Sequence, residues 1–312
     1  MKKIIPVFLF ILGAAAIGIF LTLPLPTNKI PTFQPQEVEE QEALLVFGGD
    51  MMFDRYIRQI MESVSGDYVF SCVDQALAEA DAVIANLEGP ITNNPSVSVG
   101  TDTEDPNNYV FTFPSGVAPL LARHNIFIVN IGNNHILNFG QEGLIETKQH
   151  LTKADVAYFG DEETLELEIA DVPFSFINYN EFSNAVEHSD ILKNVRMSKE
   201  EGNVPVVYAH WGDEYVVPPE RVKILARQFV DAGAALVVGS HPHVVQEVER
   251  YKDTYIYYSL GNFIFDQYFE EGVTNGLLLS VIFTKEGVSS IQEIPIKLHA
   301  DGRTCVADPV ER

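Results

Sequence analysis

The chain has 312 residues, of which 44 are Asp or Glu and 20 are Lys or Arg, giving a formal charge of −24. With 46% apolar residues it has the material for a buried core, which excludes a disordered chain. Its acidity excludes nucleic acid as a partner, because that binding relies on clustered Lys and Arg neutralising phosphates.

Behind Met1-Lys2-Lys3, the run from Ile4 to Leu23 is uncharged and mostly apolar, and has the length a helix needs to cross a bilayer. A cleaved signal has a shorter apolar region of about 7–15 residues before a small-residue site. A cut after Ala16 would leave IGIFLTLPLP on the mature end, so residues 1–25 are expected to be an uncleaved anchor rather than a signal sequence. Lys2 and Lys3 then stay inside, and the rest is extracytoplasmic on a single-pass bacterial membrane protein. Residues 26–43, rich in Pro, Glu and Gln, read as a flexible stalk. Without the three lysines of the first 30 residues, the external part stands at 17 − 44 = −27.

From Leu44, short apolar runs alternate with helical stretches, and polar residues stand at the carboxyl end of each run. Leu44 to Phe47 leads to Asp50, Ala82 to Ala85 leads to Asn86-Leu87-Glu88, and Phe127 to Ile131 leads to Asn133-Asn134-His135. Val206 to Ala209 leads to His210, and Ala235 to Val238 leads to His241-Pro242-His243. Such runs suit strands buried on both faces, and residues 70–80, 142–154 and 218–232 have helical spacing. Further strands are expected at 255–258 and 277–283, a surface loop at 94–109, one domain over 44–300, and a tail at 301–312. Ligand sites in open α/β sheets lie beyond the carboxyl ends of the strands, so five strands direct polar groups at one rim.

Asp50, Glu88, Asn134, His210, His241 and His243 offer carboxylate, amide and imidazole donors, a set suited to Mn, Zn or Fe rather than an all-oxygen Ca cage. One or two divalent ions fit, and Glu88 is the best candidate bridge. His135 is the candidate acid, with Glu88 as the second catalytic residue. Arg55 is a candidate anion contact or an ion pair. Trp211, the single tryptophan, is a substrate platform or core, with core favoured. Glu214, beside it, and Asn262 and Asp266 are further candidate substrate contacts, the last two equally suited to a turn. The sequence does not decide whether Cys72 and Cys305, too few for a disulfide scaffold, form a bond.

GGDMMFDR at 48–55, ANLEGPIT at 85–92, IGNNHILNFGQEG at 131–143, AHWGDEY at 209–215, VVGSHPHVVQ at 237–246 and YSLGNFIFDQ at 258–267 resemble the CapA family of bacterial capsule and poly-γ-glutamate synthesis proteins. The resemblance covers about 44–300 and implies an α/β calcineurin-like metallophosphoesterase fold, two packed mixed sheets flanked by helices, behind a transmembrane helix. It also implies a cell-surface protein working with an anionic polymer and membrane synthase subunits. Of the wider phosphoesterase pattern, an Asp-x-His is altered here, with Met52 in the His position, and Asn138 stands where the family commonly has Asp. The reading is a metal-dependent hydrolase for capsule or poly-γ-glutamate assembly or export. The alternative is a non-catalytic accessory subunit that binds metal or polymer without turnover.

Overall fold

The computed structural model describes residues 41–160 and 162–307. The expected anchor at 1–25 and nearly all of the stalk lie outside them. Among the described residues no helix is long and apolar enough to cross a membrane.

In chain order the strands are β1 (Ala43–Met51), β2 (Ala82–Leu87), β3 (Ile126–Asn130), β4 (Ala157–Phe159), β5 (Leu165–Ile169), β6 (Val172–Asn180), β7 (Val204–His210), β8 (Leu236–Ser240), β9 (Val248–Tyr251), β10 (Thr254–Tyr257), β11 (Asn262–Ile264), β12 (Asn275–Thr284), β13 (Gly287–Leu298) and β14 (Thr304–Val306). The helices are α1 (Arg55–Ser63), α2 (Asp74–Ala78), α3 (Val117–Arg123), α4 (Gly140–Lys153), α5 (His188–Glu200), α6 (Glu220–Ala232) and α7 (Glu271–Thr274). One sheet runs β14-β13-β12-β1-β2-β3-β4 with β11 paired to β1, and the other runs β5-β6-β7-β8-β10-β9. Both are mixed. β1 to β4 are mutually parallel, as are β6, β7, β8 and β10, while antiparallel strands close the edges.

Side chains alternate across each strand, so the two faces of a sheet need separate cores. Leu45 and Phe47 of β1, Ile84 of β2, Phe174 and Phe176 of β6, Tyr208 of β7 and Val238 of β8 pack together between the sheets. The opposite faces meet helices. Val46, Val83 and Ala85 pack with Ile57 of α1, Leu77 of α2 and Leu120 of α3. Val207, Ala209 and Val237 pack with Ile191 and Val195 of α5 and Phe229 of α6. Each fully buried large apolar side chain contributes about 1.5–3 kcal/mol. The layers are therefore helices, sheet, sheet, helices.

α6 starts after Pro219 at its N-cap and stops at Gly233, whose φ of 115° is left-handed and needs no Cβ. The expected helix at 70–80 is shorter: α2 covers only 74–78, after a tight turn at Asp67–Phe70. Cys72, between the two, is bonded to Cys305, which fixes the chain there. The same disulfide corrects the expected tail, since Thr304–Val306 pairs with β13. The 94–109 stretch is a loop that ends in a 3-10 turn at Pro106–Tyr109, and it buries Ser98 and Asn108. β6, α1, α3 and α5 were not expected from the sequence pattern. In β6, Pro173, Ser175 and Asn178 interrupt the apolar run.

Candidate metal centre

Parallel register sets the residues side by side. Asp50 of β1 pairs with Asn86 of β2, Asn86 with Asn130 of β3, and His210 of β7 with Ser240 of β8. The carboxyl ends of β1, β2 and β3 in one sheet meet those of β7 and β8 in the other, so the rim is shared between two sheets rather than belonging to one. β1 reaches it through Gly48-Gly49, where the register with β2 shifts. A Cβ on Gly49 would lie 1.8 Å from the Gly261 carbonyl oxygen, so only glycine allows this approach.

Two groups of donor atoms result, Asp50, Glu88 and His210, and Glu88, His241 and His243, the atoms of each lying within 4.8 Å of one another. Glu88 belongs to both. All five residues are buried. Asn134 is adjacent, its Oδ1 2.8 Å from Nε2 of His210. Two buried polar atoms in this cluster have no hydrogen-bond partner: Oε1 of Glu88 and Nδ1 of His241. Buried polar atoms are nearly always paired, so unsatisfied acceptors among carboxylates and imidazoles fit a cation.

The backbone carries strain here. His241 has φ 94° and His243 φ 58°, left-handed values that cost a non-glycine residue about 1–3 kcal/mol each. The main-chain N–H of His241 donates to Oδ2 of Asp50 at 3.0 Å, which ties the β8 loop to β1. Nδ1 of His243 lies 2.9 Å from Oδ1 of Asn262. An amide oxygen only accepts, so Nδ1 of His243 carries the proton and Nε2 is left as a ligand atom.

Below the carboxylates lies an amide network absent from the sequence reading. Asn86 donates to both Asp50 and Glu88, and its Oδ1 accepts from Asn130 at 2.9 Å and Asn133 at 3.1 Å. Asn178 of β6 donates to Oδ1 of Asn130 at 2.9 Å, bridging the sheets. The only sequence signal for Asn86 was its place two residues before Glu88, on the same strand face. Asn178 gave none, because β6 was unread.

Electrostatics follow burial. Desolvation, then the Asp50 charge beside it, pushes the Glu88 carboxyl well above its usual range. Desolvation and neighbouring imidazoles push His210 well down and hold His241 at about 3. His135 is held at about 4, mainly by burial. Its Nδ1 faces Oδ1 of Asn138 at 3.2 Å, and Nε2 stands 4.0 Å from Oε1 of Glu88. The Asn138 amide oxygen accepts from the Nδ1–H of His135, which leaves its Nε2 without a proton on the Glu88 side.

The expected substrate contacts divide. Arg55, at φ 47°, forms an ion pair with Asp266 and donates to Oδ1 of Asn108 at 2.9 Å, so these two expected contacts are spent on each other. Asn262 is fully buried; beyond His243, it donates to Gln267 and the Val273 carbonyl, which corrects its role from substrate contact to support. Trp211 is fully buried, stacked on Phe229, with its indole N–H on the Tyr258 carbonyl oxygen at 2.8 Å. It cannot be a platform. Glu214 is exposed on the same loop, near enough that its charge helps raise Glu88. Phe182, missed by the sequence reading, has its half-exposed ring 4.3 Å from that of His241. Met52 is buried, and its Sδ accepts the Asp54 N–H at 3.0 Å.

Two mixed sheets flanked by helices, with buried carboxylates and imidazoles at a shared rim, define an α/β protein with a centre able to hold a divalent ion. The chain belongs to the bacterial capsule synthesis protein PGA_cap family, whose model matches residues 44–267. It is similar to the PGA biosynthesis protein CapA of Bacillus subtilis (strain 168), 28% identical over 295 residues that cover 88% of this chain and 75% of that protein. It is also similar to the Capsule biosynthesis protein CapA of Bacillus anthracis, 29% identical over 262 residues, 73% of this chain and 61% of that one.

Proposed function

We propose that this chain is a membrane-anchored, extracytoplasmic hydrolase with a calcineurin-like metallophosphoesterase fold, acting in the assembly or export of a surface polymer such as poly-γ-glutamate. The observation that carries the reading is the pair of ligand triads sharing Glu88, with its Oε1 unsatisfied. Asp50, Glu88 and His210 on one side, and Glu88, His241 and His243 on the other, would hold one or two ions of Mn, Zn or Fe, supplying Lewis acidity at the reacting group. Asn134, whose Oδ1 lies beside Nε2 of His210, would join the first set. His135 is anchored at Nδ1, and its Nε2, 4.0 Å from Oε1 of Glu88, would take up and hand on a proton at the reacting group.

The Cys72–Cys305 disulfide supports an extracytoplasmic location, since such bonds persist in oxidising compartments. The apolar run from Ile4 to Leu23 supports an anchor in the cell membrane, beside the synthase subunits that are the expected partners. An anionic polymer is repelled by an acidic domain, so bridging cations are part of this reading.

Met52, in place of a ligand His, favours a second reading: an accessory subunit that holds metal or polymer without turnover. The test is elemental analysis of the purified full chain, with phosphodiester and γ-glutamyl hydrolysis assays in Mn. Stoichiometric metal and turnover, both lost in a folded Glu88→Gln protein, are expected. Bound metal without turnover on either substrate class would transfer the function to the accessory reading.

A further inference from the structure

A cavity of about 440 Å³ opens beside the centre, between the 98–109 loop and the 266–269 loop. Its volume is that of a small-molecule site. Two chains of contacts join it to the ligands. Tyr215 lines the cavity, its ring is 6.1 Å from that of His243, and its N–H donates to the Pro242 carbonyl at 2.9 Å. Arg55, also in the lining, places its guanidinium over Phe111 and Phe265, whose rings lie 4.4 Å from His135 and 4.8 Å from His243.

The composition of the lining is specific. Arg55, Asp102 and Asp266 are its charged residues, one positive and two negative, and the one cation is paired with Asp266 and Asn108. Both Nη atoms of Arg55 are thus engaged, its Nε is buried without a partner, and the net negative charge of the lining repels a carboxylate or phosphate. The walls are aromatic: Tyr56, Tyr109, Tyr215 and Phe269 are 37%, 48%, 38% and 63% exposed. Between them stand the uncharged side chains of Gln59 and Thr103. Aromatic faces receive the C–H faces of a sugar ring, and side-chain amides and hydroxyls exchange hydrogen bonds with its hydroxyls.

We infer that this cavity is a subsite for a neutral saccharide unit carried by the substrate. The inference rests on the hydrolase reading for its place in a reaction, but the binding itself does not. It adds a neutral saccharide unit to the surface polymer presented to the centre.

The experiment titrates the purified full chain with di-N-acetylchitobiose and cellobiose, and with tri-γ-glutamate as the anionic comparator. Binding is read by calorimetry and saturation-transfer NMR in chelator, where turnover is silent. Saturable binding of a neutral disaccharide is expected, weakened tenfold or more by Tyr109→Ala and by Phe269→Ala, with no competition from tri-γ-glutamate. Both positions are exposed, and circular dichroism checks that the variants fold. Absence of binding by both disaccharides, binding indifferent to both substitutions, or tri-γ-glutamate binding lost in Tyr109→Ala would overturn the inference. Failure of hydrolysis with saccharide binding intact would strike the hydrolase reading alone.

Discussion

The side-chain amide of Asn86 stands between the two acids of the centre, donating through one nitrogen to Oδ1 of Asp50 at 2.7 Å and to Oε2 of Glu88. Two buried carboxylates this close repel, and the Asp50 charge adds to desolvation in raising Glu88. Asn86 offsets part of that repulsion and fixes where both oxygens point.

Removing this support should cost metal affinity rather than the fold. Asn86→Ala is expected to weaken Mn or Zn binding about 10–100-fold, the usual range for groups that orient ligands. Calorimetric titration of the metal-free protein measures it, with circular dichroism as the folding control. Unchanged affinity would mean that Asp50 and Glu88 hold their geometry unaided.

The metal-free protein should lose stability on acidification below about pH 6.5. His241 is held at about 3 and His135 at about 4, and His210 is also lowered, while unfolded imidazoles titrate near 6.5. Between pH 6.5 and 4 the unfolded chain therefore binds protons that the folded chain refuses, so stability rises with pH across that window. Glu88 acts oppositely above about pH 4.5, because its raised carboxyl keeps a proton in the folded state. Each net proton contributes about 1.4 kcal/mol per pH unit. Three imidazoles against one carboxyl leave a positive slope, which urea midpoints at pH 7, 6, 5 and 4 in chelator would reveal; a flat profile would contradict it.

The disulfide joins residues 233 apart in sequence and secures β14 against the Asp67–Phe70 turn. Loss of so long a closed loop from the unfolded state should cost about 2–5 kcal/mol. A Cys72→Ser, Cys305→Ser protein is expected to unfold at lower urea than the oxidised parent, and to match the parent treated with reductant. Coincident curves for oxidised parent and variant would show that the bond contributes nothing.

Trp211 offers a check on its place in the core. Trp211→Ala is expected to destabilise by about 3–5 kcal/mol, the cost of a large buried aromatic. In the parent, its fluorescence should resist acrylamide quenching and stay unmoved by added saccharide or polymer. Ready quenching would place the ring in solvent instead.

Runs such as Ala82–Ala85 and Val206–Ala209, each leading to polar residues, made the parallel strands and their shared rim legible, because buried parallel strands must be continuously apolar and their carboxyl ends face one way. β6 was not legible. Its polar positions, Ser175 and Asn178, are satisfied by Asn203 and Asn130, partners distant in sequence.

Residue types and spacing alone thus determined the α/β class and which carboxylates and imidazoles stand at the strand ends. Tertiary structure decided the rest: that Arg55 belongs to Asp266, that Asn262 serves His243, that Trp211 faces helices rather than substrate, and that Cys72 meets Cys305. The difference is physical. Strand polarity is a local property that sequence records directly, whereas the partner of a side chain depends on which loops the packed sheets bring together.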